Sequence, residues 1–151
     1  MARAKSGDRA AFGELYQTFF TPVYRYVLAR VGNPATAADI VQTTFLKTLR
    51  SIERFDDRGH SPVAYLLTVA RNTIIDHWRE RRDVPLDEPD GDAPHDIPDD
   101  RTDAAAGLDQ TLLGSQLRTA LLLLSADQRD VISLRFFSGQ STVEIASILD
   151  K

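Results

Sequence analysis

Four of the seven prolines of this 151-residue chain fall between Pro85 and Pro98, inside a stretch, residues 83–107, that holds nine acidic side chains against one Arg. Such a composition cannot bury enough apolar surface to offset the entropy of ordering it. A flexible acidic linker is therefore expected over 83–107, with a first domain over 1–82 and a second over 108–151. Charge follows the same division: residues 1–82 carry net +5, 83–107 net −8 and 108–151 net −1. The overall charge of −4 thus conceals a basic first segment, of the sign that nucleic acid attracts. The chain has no Cys, which excludes disulfides, thiolate metal sites and a Cys nucleophile. No stretch has the pattern of a signal peptide, and the run Leu121–Leu124 is far too short to span a bilayer. A cytoplasmic protein is the expectation.

Both flanking segments read as helical. Phe12, Leu15, Tyr16, Phe19, Val23, Tyr24, Val27, Leu28 and Val31 recur at helical spacing. Pro22, with Thr21 as a cap, predicts a break into two helices there. Gly32-Asn33-Pro34 is a stop followed by a start, and Ile40, Val41, Phe45, Leu49 and Ile52 place a further helix over 35–52. Residues 55–60 read as a polar loop. Ser61-Pro62 opens a helix to about Arg82, striped by Val63, Leu66, Leu67, Ala70, Ile74, Ile75 and Trp78. Beyond the linker, Leu108, Leu112, Leu117, Leu121 and Leu124 mark one helix. Ser125 caps a second that ends at Gly139, and Ser141 caps a third. The fold class expected is all-α, two small helical domains.

Three segments carry chemistry. Asp39, Gln42, Thr43 and Leu46 share one outward stripe of the 35–52 helix, although an ordinary amphipathic helix has the same spacing. The helix opened by Ser61 turns basic at its end, with Arg79, Arg81 and Arg82, and Arg71 lies two turns earlier. Cations there also suit the helix dipole, while Arg beside Tyr65, His77 and Trp78 suits phosphate contact and base stacking. Adjacent helical residues point about 100° apart, so Asp76 and His77 form no catalytic dyad. No phosphate loop, serine elbow or metal-ligand spacing accompanies them. Finally, Leu124–Leu149 runs helix, Gly turn, short helix with Glu144-Ile-Ala, which is how many helix-turn-helix units begin and also how a plain helical hairpin reads.

Taken in order, these blocks resemble extracytoplasmic-function sigma factors of bacterial RNA polymerase. Phe12-Gly-Glu-Leu-Tyr16, Val23–Leu28 and Asp39-Ile-Val-Gln42 with Thr44-Phe45 are similar to the start of that family's second conserved region. Ala64-Tyr-Leu, Val69-Ala-Arg-Asn72 and Ile75-Asp-His77 resemble its promoter-reading part, and Leu124–Leu149 the front of its fourth region. The resemblance implies a non-enzymatic factor without cofactor or metal. Asp39, Gln42, Thr43 and Leu46 would face core polymerase; the family usually has an acidic residue where Thr43 stands. The loop 56–61, with Arg58, His60 and Ser61, would receive a base flipped out of the minus-ten element. Asn72 matches a position at that pocket, Tyr65 stands where Trp is common, and Arg71, Arg79, Arg81 and Arg82 would meet phosphates. An anti-sigma protein is implied as a further partner. The chain ends before the helix that reads the minus-thirty-five element, so the second domain is expected to be an incomplete helix-turn-helix. The rival functions are a helix-turn-helix regulator of duplex DNA and a sigma-like protein acting only through protein partners.

Overall fold

The computed structural model describes residues 2–55, 61–83 and 112–151. Helix α1 (Ala2–Lys5) precedes three long helices, α2 (Arg9–Val31), α3 (Pro34–Ser51) and α4 (Pro62–Asp83), with a single 3-10 turn at Ile52–Arg54. Then come α5 (Leu112–Leu122), α6 (Ala126–Ile132), which continues through a π-turn over Ser133–Phe137, and α7 (Thr142–Leu149). The described residues contain no strand, as an all-α fold requires.

Local chemistry sets most boundaries. Asp8 caps α2 by accepting from the Ala10 and Ala11 amides. Gly32 stops it in the left-handed region at φ 74°, where a Cβ would be strained. Asn33 then accepts from the Thr36 amide at 3.0 Å, with Pro34 in the first turn of α3. Ser125 with Gln128, and Ser141 with Glu144, form reciprocal capping boxes on α6 and α7. Arg129 closes α5 by donating to the Leu121, Leu122 and Leu124 carbonyls at 2.9–3.1 Å. Because the Asn33 cap satisfies an amide that the helix itself cannot, Asn33→Ala should cost about 1 kcal/mol. A shift of the urea midpoint at unchanged slope measures it, and an unshifted midpoint refutes the cap.

Pro22 does not break the chain: α2 is continuous through it. An interior proline forfeits a hydrogen bond and costs about 3 kcal/mol. Downstream, however, Val23, Tyr26 and Val27 are completely buried, and each such side chain contributes roughly 1.5–3 kcal/mol. Their burial outweighs the proline, and the Pro22 carbonyl accepts from Ser138 Oγ at 3.0 Å. Two further expectations change. Of the tyrosines at the helical spacing, Tyr16 is 40% exposed and Tyr24 only partly buried, whereas Tyr26, outside that pattern, is fully buried. Phe55, read as the start of a polar loop, is buried against the Tyr65 ring.

Helices α2, α3 and α4 pack pairwise around one core of Leu15, Val23, Val27, Val41, Phe45, Leu66, Leu67 and Ile74. Leu134, Ile145, Ile148 and Leu149 belong to the same buried cluster. The short helices α6 and α7 are too small to enclose a core of their own, and they seat their apolar sides on α2 and α4. Residues 84–111, most of the expected linker, lie outside the described residues.

Candidate functional site

The buried side of α3 carries Ile40, Val41, Thr44, Phe45 and Thr48, which turns Asp39, Gln42, Thr43 and Leu46 to the opposite, exposed side. Thr44 survives in the core because its hydroxyl donates to the Ile40 carbonyl at 2.7 Å. Leu46 and Leu49 are each about half exposed (49% and 47%), so the stripe has an apolar edge beside its polar centre. Lys47 on α3 meets Asp76 on α4 at 3.0 Å. Both ends of that pair are wet, so it orients the helices more than it stabilises them. It also commits Asp76 to Lys47. The His77 ring instead sits edge-on to Trp78 at 5.6 Å, with its Nε2 buried and unpartnered.

Helix α4 opens with Ser61, whose Oγ accepts from the Ala64 amide at 3.2 Å. Tyr65 shares a 2.7 Å hydrogen bond with Ser51 and packs on Phe55 at 4.8 Å, which fixes the start of α4 against the end of α3. Two turns after Tyr65, Asn72 is exposed, and at the far end Arg79, Arg81 and Arg82 are exposed as well. Four of the expected nucleic-acid contacts are thus presented outward by one rigid helix. Arg58 and His60 lie outside the described residues. Among the described residues no cluster of metal-ligating side chains occurs, and no helix is long and apolar enough to cross a membrane.

Arg71, a candidate phosphate partner, already has an anion beside it: its Nε donates to Asp130 of α6 at 3.1 Å. Asp130 also accepts from the Tyr26 hydroxyl at 2.8 Å and lies 2.6 Å from Arg30 Nε. Burial, then the negative charge of Asp130, pushes the Tyr26 phenol far above its ordinary range, so it stays a donor. Glu144 of α7 lies on the same side. Its carboxyl is held below the usual range by the Ser141 amide and hydroxyl, with a smaller contribution from nearby Ser61. The sequence reading missed Tyr26, Arg30, Asp130 and Glu144 as a group. The available signal was local only: Tyr26 and Arg30 are one turn apart on α2, and Asp130 precedes the buried Leu134 by one turn on α6.

Residues 2–84 match the family model Sigma-70 region 2. The chain is 36% identical over 149 residues to the ECF RNA polymerase sigma factor BldN of Streptomyces coelicolor, covering 99% of this chain and 56% of that one. It is 34% identical to the ECF RNA polymerase sigma factor SigL of Mycobacterium tuberculosis, covering 97% and 80%. In three dimensions it is similar to the sigma factor RpoE of Bartonella quintana, solved in complex with the anti-sigma factor NepR, with TM-score 0.66 and 24% identity over 93% of this chain and 83% of that one. At 24% identity, that likeness speaks for the fold. The chain thus spans little more than half of one relative's length and four fifths of the other's. A region-two match over more than half the chain, and sequence likeness continuing across nearly all of it, place this protein in the extracytoplasmic-function family of RNA polymerase sigma factors.

Proposed function

We propose that this chain directs promoter recognition by bacterial core RNA polymerase, docking through α3 and capturing single-stranded minus-ten bases along α4. The observation that carries this is the placement of two surfaces on one rigid three-helix core. The α3 stripe of Asp39, Gln42, Thr43 and Leu46 is exposed, and so are Asn72, Arg79, Arg81 and Arg82 on α4. The factor works without covalent chemistry: phosphate contacts position the strand, base contacts select it, and nucleotide transfer belongs to the polymerase. Residues 1–82 form the polymerase and minus-ten unit and 108–151 the start of the fourth-region unit. The protein acts where polymerase acts, in the cytoplasm, and an anti-sigma protein is its regulatory partner. The anti-sigma complex of the Bartonella relative supports that last point.

Run-off transcription with bacterial core polymerase tests the reading: promoter-specific transcript should depend on this chain, and its absence at saturating factor refutes the function. Docking has its own check. Asp39→Ala with Gln42→Ala should weaken core binding about tenfold, since it removes two interfacial polar contacts. Stability should stay within about 0.5 kcal/mol, because both positions are exposed. Unchanged affinity in a pull-down titration would remove α3 from the interface.

A further inference from the structure

Among the described residues Asp130 is the one carboxylate shut away from solvent, 2% exposed. Its direct contacts all come from the N-terminal half of the chain, the Tyr26 hydroxyl, Arg30 Nε and Arg71 Nε at 2.8, 2.6 and 3.1 Å, while the adjacent Arg129 adds a favourable charge without touching it. Arg30 is itself nearly buried, its side chain 9% exposed, and Arg71 is a quarter exposed. Two guanidinium groups and a phenol that converge on one anion carry a full excess positive charge over the carboxylate. Without an anion, two cations would be stranded in a poorly hydrated pocket, which is costly, so the pocket requires an occupant. Planar guanidinium forks and a tyrosine hydroxyl are also the donors that hold a phosphodiester.

The covering helices repeat the pattern elsewhere. Glu144 lies near Ser61, and Ser138 Oγ donates to the Pro22 carbonyl at 3.0 Å. Asp130 of α6 is thus bonded to Arg71, and Glu144 of α7 lies near Ser61, two residues expected to meet nucleic acid.

We infer that Tyr26, Arg30 and Arg71 form a phosphate pocket for nucleic acid, which Asp130 fills from within as a competing anion until the α6–α7 unit lifts away. The inference rests on the proposed DNA-binding role of α4 and adds a site, Tyr26 with Arg30, that this role did not include. Mutual exclusion makes the coupling reciprocal: what weakens Asp130 must strengthen DNA, and DNA must open the chain.

The chain has no Cys, so dyes on Gln17→Cys and Val143→Cys, both exposed positions, report the distance between α2 and α7. Asp130→Asn should lengthen that distance. It should also tighten binding of a minus-ten single-stranded oligonucleotide about tenfold, within the usual range for coupled sites. The salt slope of log affinity should steepen by about 0.7 for each phosphate newly contacted. Adding Arg30→Gln and Arg71→Gln to Asp130→Asn should erase both gains. A gain that survives those two substitutions overturns the pocket, and so does an opened chain with unchanged affinity, or no opening and no gain. If circular dichroism shows that Asp130→Asn has lost helix, the dye-labelled chain with Asp130 intact decides. Saturating oligonucleotide must lengthen its dye distance, and binding at constant distance overturns the inference. Run-off transcription in parallel separates the two claims, since transcription with no coupling to Asp130 leaves the sigma role standing and removes only the pocket.

Discussion

Leu67→Ala should destabilise the protein by about 2–5 kcal/mol, the usual cost of removing a leucine side chain from a packed core. Leu67 is completely buried, on the face of α4 that meets α2 and α3, and it lies in the cluster shared by Val23, Val27 and Val41. The loss combines the transfer of the removed methyl groups back to water with a cavity that three packed helices close only in part. Domains of this size have about 5–15 kcal/mol in total, so the variant gives up a large share of its stability. Both proposed surfaces are carried by this core. Polymerase binding and DNA binding should therefore fall together as the unfolded fraction rises, unlike the Asp39–Gln42 pair, which separates them. Urea unfolding followed by circular dichroism reads the midpoint shift; a change under 0.5 kcal/mol would mean that the three helices are not closed around Leu67.

Asn72→Ala should reduce discrimination at one base of the minus-ten element by about 1–3 kcal/mol, a tenfold to hundredfold loss for a single base-edge contact. Asn72 is exposed on α4 and offers both donor and acceptor, which is what base selection requires. Arg81→Ala and Arg82→Ala should behave differently. Guanidinium groups at the exposed end of α4 meet phosphates that every sequence shares, so affinity should fall alike for all promoters. The salt slope should flatten by about 0.7 for each lost contact to a single strand. Holoenzyme affinities for a panel of single-base promoter variants distinguish the two behaviours. A uniform loss for Asn72→Ala would remove it from the base pocket.

What the sequence determined by itself is what neighbouring residues decide. Gly32-Asn33-Pro34, Ser125 with Gln128 and Ser141 with Glu144 are caps made within four residues, and each lies where its local chemistry put it. The exposed stripe of α3 and the outward Asn72, Arg79, Arg81 and Arg82 follow from helical period alone, since the apolar residues had to turn inward. Tertiary structure decided whatever depends on distant partners. Pro22 reads locally as a break, yet the burial of Val23, Tyr26 and Val27 outweighs the hydrogen bond it forfeits. Arg71 reads as one more cation on a basic helix, and only the seating of the α6–α7 unit on α2 and α4 turns it to Asp130, 59 positions away. Tyr26 and Asp130 are 104 positions apart. No periodicity links them, because a buried carboxylate is tolerated only where folding happens to gather enough donors to replace its water.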